Sequence, residues 1–406
     1  MTFGQLGMKA PSLAGMADAI SAKISREAIH YKFSEQSVAF MEKCFNMILK
    51  EKIPGMKSLE VASLEPFSKV LVSDSSSWEV SPALEKAFPG CGGNASSAGC
   101  KIQVTYDLKR GAVEFCEITA GAKSDQGYID KLVATINENE LTIADLGYFS
   151  VDRFVQISEK RAFFISRFLS STAVFNPDNR ERIPLLGMLK KCTGNHYQRE
   201  VLVGSGHEKA RCRLICQRAS EEEANQRRHS LYEVSQKKGR IPTQESLDFC
   251  NWHLLITNVP ESMLPTEKIS TLYRIRWQIE LIFKQFKSVL GVHKSNTKSP
   301  HRLLCELYGK LIVAVLIHKI HGFLNAKLWR ENHRELSFDK FWKRLQERSF
   351  AMMQLLFRSV QKAMSCLAKE IKLITKNCLK LKQRSRPTSL EKLSSIPSLH
   401  FKSLKI

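Results

Sequence analysis

Four residues between positions 271 and 291 carry most of the chemistry legible in this chain: Tyr273, Arg276, Glu280 and Lys287. Read as one α-helix at about 100° per residue, they fall within an arc of about 60°. Ile275, Ile279, Ile282, Phe283, Phe286, Val289 and Leu290 lie on the arc beside them and should face a core. Trp277 and Leu281 add apolar surface on the other flank. A helix packed on both flanks would hold the polar stripe in a cleft; a solvated face on an ordinary amphipathic helix is the other reading. In a cleft, Arg276 would grip a phosphate as a fork and Lys287 as a point charge. Tyr273 could donate to a phosphate or stack on a base.

Two further carboxylates follow short apolar runs. Residues 69–73, KVLVS, are predicted to form a buried strand that delivers Asp74 into a Ser-rich loop, Ser75 to Ser77. Residues 141–144, LTIA, are predicted to form a second, ending at Asp145. Strand ends commonly hold functional side chains rigidly. Taken singly, Asp74 also reads as a loop cap and Asp145 as a helix N-cap. Together with Glu280 they would make a hard, oxygen-rich pocket that suits Mg²⁺ or Mn²⁺ and not zinc. Two such ions about 4 Å apart can activate a water or a 3′-hydroxyl and stabilise the leaving oxygen of a phosphodiester, with no separate general base.

The elements that must position these groups follow from periodicity. Residues 21–30 and 34–50 have helical spacing, and the module 1–66 is predicted to be helical and, from the overall charge, to contact DNA, a cap on the core being the other reading. From residue 67 the texture turns to strands. After the strand with Asp74 come a short helix over 82–88, a Gly-rich loop over 89–99, and a hairpin of strands 101–108 and 112–120 around Lys109-Arg110-Gly111. A helix over 126–137, the strand with Asp145, a helix from Ser150 and a strand over 162–167 complete the run. That order is the α/β, ribonuclease H-like mixed sheet with helices packed on it. A β-rich insertion over 171–262 interrupts this core, with strands near 200–203, 211–217 and 252–257 and a polar arm over 218–240. The core resumes over 263–345 with the helix over 271–291 and an apolar helix over 303–324. Helices over 338–348 and 352–374 follow, and a basic helical region closes the chain over 346–406.

The 406 residues carry 62 Lys and Arg against 40 Asp and Glu, a formal charge of +22. That excess points to a polyanion: DNA, RNA or an anionic membrane surface. The membrane is disfavoured, because the longest apolar run falls far short of the roughly 20 residues that span a bilayer. The first stretch lacks the apolar core and cleavage site of a signal peptide, and the eleven Cys show no disulfide spacing, so a reducing cytoplasm is expected. Cys212 and Cys216 with His207 nearby could be taken for a metal site, but on a strand they read better as half-buried apolar residues.

Tyr273, two residues, Arg276, three residues, Glu280, six residues and Lys287 make a Y-(2)-R-(3)-E-(6)-K pattern. Its surroundings are VLVSDSS at Asp74, IADLGYFS at Asp145, FFISR after it, LLITN before the helix, and GNASSAGCKIQVTYDLKRG. In these motifs residues 38–324 resemble a large group of bacterial insertion-sequence transposases with a DDE catalytic triad. The resemblance implies a cut-and-paste DNA transposase with a ribonuclease H-like core. It implies Asp74, Asp145 and Glu280 as catalytic metal ligands for two Mg²⁺ or Mn²⁺ ions, and Tyr273, Arg276 and Lys287 as a grip on the DNA end. It implies binding of terminal inverted repeats and of a target duplex, a homodimer in a synaptic complex, excision for which hairpinned ends are one route, and a bacterial cytoplasmic, nucleoid-associated location. In some members a Trp on the insertion holds a flipped base; Trp252 is the matching residue, and it reads equally as a core strand aromatic. One departure is Ser75-Ser76 after the first Asp, where the group usually has a Thr; Ser keeps the hydroxyl. A nuclease of the same fold without strand transfer, and a DNA-binding protein that has lost catalysis, are the alternatives.

Overall fold

β-Branched and aromatic residues dominate short runs between residues 69 and 257, and there the described residues form nine strands. They are β1 (Lys69–Glu79), β2 (Gly99–Asp107), β3 (Ala112–Ala120), β4 (Glu140–Ala144), β5 (Phe163–Arg167), β6 (Val174–Phe175), β7 (His196–Val203), β8 (Ala210–Arg218) and β9 (Trp252–Thr257). The computed structural model describes residues 12–18, 24–54, 58–61, 64–92, 96–206, 208–381 and 388–394. The strands are hydrogen-bonded in the order β3-β2-β1-β4-β5-β9-β8-β7-β6. The pair β4–β5 is parallel, whereas β2–β3, β5–β9, β9–β8, β8–β7 and β7–β6 are antiparallel. This is the α/β mixed sheet expected from the sequence, with helices before and after it. Among the described residues no helix is long and apolar enough to cross a membrane.

The chain divides into two units, Met1–Glu60 with Ser73–Lys123 and Trp277–Thr388, and Val61–Val72 with Ser124–Arg276 and Ser389–Ile406. In the first, the helix Pro300–Asn332 is apolar around most of its surface because it packs on both β3 and the helix Glu35–Lys50. A Cβ at Gly322 would lie 2.6 Å from the Gly111 carbonyl oxygen and 2.7 Å from that of Arg110, so only glycine lets this helix meet the β2–β3 turn. Lys319 donates to the carbonyls of Ile48 at 2.6 Å and Leu49 at 3.0 Å, capping the C-terminus of Glu35–Lys50. Ser34 caps its other end through the Ser37 amide.

In the second unit the parallel strands β4 and β5 are joined through the helix Val151–Glu159. Arg153 on that helix donates to Asp130 at 3.1 Å and to the Gln126 carbonyl at 2.7 Å, which ties down the helix Gln126–Thr135. The insertion continues the sheet, because β9 pairs with β5. Asn258, the last residue of LLITN, accepts from the Phe164 amide at 2.8 Å and donates to the Ala162 carbonyl at 2.8 Å, which locks that junction. The polar arm is a helix, Glu221–Lys237, started by a capping box of Ser220 and Glu223.

Three expectations are corrected. β1 does not end at Asp74; it runs on through Ser75, Ser76 and Ser77 to Glu79, beside β2 in the sheet, since serine tolerates an extended backbone. Residues 271–291 are not one α-helix. The helix Thr266–Ile275 stops at Arg276, the helix Gln278–Lys284 follows, and a π-helical turn covers Gln285–Val289. The Leu290 amide there reaches back five residues to the Gln285 carbonyl at 3.1 Å, so angles taken at 100° per residue do not carry across the segment. The helix near residue 350 breaks at Ser359, between Phe338–Arg358 and Val360–Asn377. The N-terminal helix expected over 21–30 is described from Arg26, residues 19–23 and the far C-terminal tail lying outside the described residues.

His318 stacks on Phe338 and meets Tyr106 and Phe286 edge-on, and His321 bonds the Leu336 carbonyl at 3.2 Å. Burial holds both neutral, pushing His318 down to about 3 and His321 to about 4. An unfolded imidazole titrates near ~6.5, so below that pH the unfolded chain takes up protons that the folded chain refuses. Stability should be whole above about pH 6.5 and fall as pH drops through about 4 and 3, with a loss of about 2 kcal/mol per histidine between pH 7 and 5. Denaturant midpoints across that range will read it; a flat profile would contradict it.

Candidate active site

Asp145 sits one residue beyond β4, with an extended backbone that opens the 3₁₀ turn Leu146–Tyr148. Its side chain makes no capping bond to that turn, so the N-cap reading fails. Tyr273 instead donates to its Oδ1 at 3.1 Å, and Nη1 of Arg167 lies 3.8 Å from the same oxygen. Arg167 is there because β4 and β5 are parallel and in register, Ala144 opposite Ser166, so the next residues of both strands emerge together. The side chains of Asp145 and Arg167 are 36% and 46% exposed, so solutes can reach this pair. An ion pair this exposed contributes at most about 1 kcal/mol and mainly sets direction. Arg167 was missed as a site residue in the sequence; its signal was FFISR, a strand with a charged C-terminal end beside the strand of Asp145.

Tyr273 reaches Asp145 because its helix is anchored from below. Arg213 on β8 is buried and donates to the carbonyls of Val259 at 2.9 Å and Leu264 at 2.8 Å, fixing the turn that starts the helix Thr266–Ile275. Thr266 bonds Gln198 on β7. Burial first, and the Asp145 carboxylate second, push the Tyr273 phenol well above its ordinary value, so it stays a donor throughout the physiological range. Arg276, half-buried, donates its amide to the Tyr273 carbonyl at 3.0 Å where the helix ends.

In the first unit Asp74 lies in the middle of β1, where burial gives way to half-exposure. The backbone beside it is fixed by the buried hydroxyl pair of Ser73 and Thr105 at 2.8 Å, and its Oδ1 accepts from the Ser75 amide at 2.8 Å. Glu280 is exposed in the first turn of Gln278–Lys284, where the positive end of the helix dipole favours a carboxylate. Lys287, on the π-helical turn, donates to the Ser77 carbonyl of β1 at 2.9 Å and lies 5.9 Å from the centre of the Trp78 ring. Burial pushes its ammonium down from the usual lysine value. The stripe is thus divided: Tyr273 meets Asp145, while Lys287 lies along β1 three residues beyond Asp74.

Trp252 opens β9 with 5% of its surface exposed, and the Arg218 guanidinium covers its ring at 4.6 Å. A base could stack there only by displacing Arg218. Cys212 and Cys216 are buried on β8, and burial pushes the Cys216 thiol up to about 12, far from a metal-binding thiolate. His207 lies outside the described residues. Among the described residues no group of three His, Cys, Asp or Glu is placed to hold a metal ion.

The transposase DDE domain family matches residues 65–316, a span that contains Asp74, Asp145, Glu280 and the whole Tyr273-to-Lys287 stripe. The chain belongs to this family. The transposase is 30% identical over 343 residues to the transposase for insertion sequence element IS1151 of Clostridium perfringens, covering 80% of this chain and 72% of that one. It is 27% identical over 389 residues to the transposase for IS231E of Bacillus thuringiensis subsp. finitimus, covering 92% and 81%. A piggyBac transposase synaptic complex with hairpin DNA aligns with a TM-score of 0.44 and 11% identity, over 94% of this chain and 75% of that one, a likeness too slight to argue from. The protein is a DNA transposase of the insertion-sequence type.

Tyr273→Phe keeps the ring and removes only the hydroxyl that Asp145 accepts. A hydrogen bond to a charged group contributes about 1.5–3 kcal/mol, and a rate falls tenfold for each ~1.4 kcal/mol lost from the transition state. DNA-end cleavage by the variant should therefore slow about tenfold or more, with the melting temperature held. A rate equal to the parent's would show that the bond does not serve the chemistry.

Proposed function

We propose that this transposase cuts DNA at the terminal inverted repeats of its element and joins the freed ends to a target duplex in a reaction dependent on Mg²⁺ or Mn²⁺. Asp74, Asp145 and Glu280 would hold the metal, two ions being the number that suits three carboxylates. When bound, such ions supply an activated water or 3′-hydroxyl and neutralise the leaving oxygen. Carboxylate oxygens are the donor type such ions take, and Asp145 is solvent-accessible and Glu280 exposed.

The chain's own residues would do the rest. Tyr273 holds the Asp145 carboxylate in one orientation, and Arg276 supplies a fork for a non-reacting phosphate. Lys287 adds a charge beside β1, and Trp252 would serve a flipped base once Arg218 moves aside. Two copies would pair the element's ends in a synaptic complex in the bacterial cytoplasm, close to the nucleoid. The helices before residue 66 and the basic region after 346 would add sequence-independent grip. The observation that supports this reading best is the match over residues 65–316, which encloses all three carboxylates, together with the Tyr273–Asp145 bond that links stripe and strand end.

A duplex carrying the element's own terminal repeat, incubated with the purified protein, should be cut at the repeat's end in Mg²⁺ or Mn²⁺ and not in EDTA. Glu280→Gln, nearly isosteric but uncharged, should reduce cutting by at least ~10³-fold, in line with the loss of a group that stabilises the transition state electrostatically. Cutting by Glu280→Gln at the parental rate would remove Glu280 from the metal site.

A further inference from the structure

The second unit carries a cluster of like charges that the carboxylate chemistry does not use. Arg167 pairs across the sheet with Leu255 of β9, and His253 lies two residues before Leu255, on the same face. Diagonal neighbours of this kind sit about 7–8 Å apart. His253 is in turn bonded to the Arg227 guanidinium, which comes down from the helix Glu221–Lys237 and also donates to the Trp252 carbonyl at 2.9 Å. The charge of Arg274, on the helix Thr266–Ile275 beside Tyr273, also acts through space on the same imidazole. Three arginines and a histidine from four elements are thus linked through His253, and Arg167 joins them to Asp145. Glu223, 3.4 Å from His253, is the acid set among them.

Such crowding opposes folding. Burial, and behind it Arg167, push Arg227 below the usual arginine value; burial and then Arg227 push His253 down. The bonds Arg227 makes are to a carbonyl and an imidazole, which carry no compensating charge. Charge held against repulsion on an accessible face calls for a polyanion that would relieve it. The spread suits consecutive phosphates: Arg forks read phosphate geometry well, and the patch starts at the carboxylate proposed to face the scissile bond.

We infer that Arg167, His253, Arg227 and Arg274 form a phosphate track by which the insertion grips the DNA backbone flanking the cleaved bond. This rests on the transposase reading above. The insertion's polar helix would then act as the clamp on the flanking duplex, with Arg167 as the link to Asp145.

The test is fluorescence anisotropy with the full-length protein and a labelled duplex carrying the terminal repeat, titrated across salt concentration. Each phosphate contact contributes about 0.9 to the slope of log K against log salt. Arg167→Ala/Arg274→Ala should bind about tenfold or more weakly at 0.1 M salt and lose about 2 from that slope, with its melting temperature within a few degrees of the parent. Arg227→Gln, which keeps a donor for the Trp252 carbonyl, should lose about 1. The control is Lys327→Ala/Lys343→Ala, two exposed lysines of the first unit, matched in charge and expected to leave the slope almost unchanged. Parental affinity and slope in a folded Arg167→Ala/Arg274→Ala overturn the track and leave the transposase reading standing. An equal loss in the lysine control also overturns it, by showing an effect of net charge alone. Failure of the parent to bind the duplex at low salt overturns both.

Discussion

The hydrogen bond from Tyr273 to Asp145 joins residues 128 positions apart within the second unit. Closing so long a loop costs conformational entropy that one bond cannot repay. The offset comes from the sheet between them. β9 pairs with β5, β8 with β9 and β7 with β8, so the insertion is zipped to the strand beside Asp145. The buried Arg213 then fixes the turn below the helix that carries Tyr273. An insertion that reads in the sequence as an interruption is the frame that delivers the phenol to the carboxylate.

The strands were legible because each is a short β-rich run between turn signals, and β4, β5 and β9 lie where their patterns place them. The hydroxyls of Ser75, Ser76 and Ser77 hid the second half of β1, since its extended shape is imposed by pairing and not by propensity. The helical stripe was legible as a set of residue types but not as a geometry. Arg276 and Trp277 break the helix, and a π-helical turn carries Lys287, so its side chain lies along β1 beside Trp78. No local composition marks either event. Arg167 was invisible as a partner for Asp145 because parallel register, a relation between distant strands, creates the contact. Trp252 has two readings in the sequence, and in the fold it is buried with the Arg218 guanidinium over its ring.

The excess positive charge is distributed with a purpose. Lys319 and Arg213 spend theirs on carbonyls inside the fold, where they cap a helix and pin a turn. Arg167 is spent on Asp145 at the sheet end, and Arg227 lies near enough to Arg167 to be pushed below the usual arginine value.

Asp145, held by Tyr273 and Arg167, should take part in the chemistry of both cutting and joining. The most direct measurement supplies already cut element ends, with a free 3′-hydroxyl, to Asp145→Asn in Mg²⁺ and follows their insertion into a target plasmid. The amide preserves shape and can still accept from Tyr273, so the ends should bind as they do to the parent and fail to join. Joining at the parental rate would contradict the claim and would place the metal-holding carboxylate elsewhere in the chain.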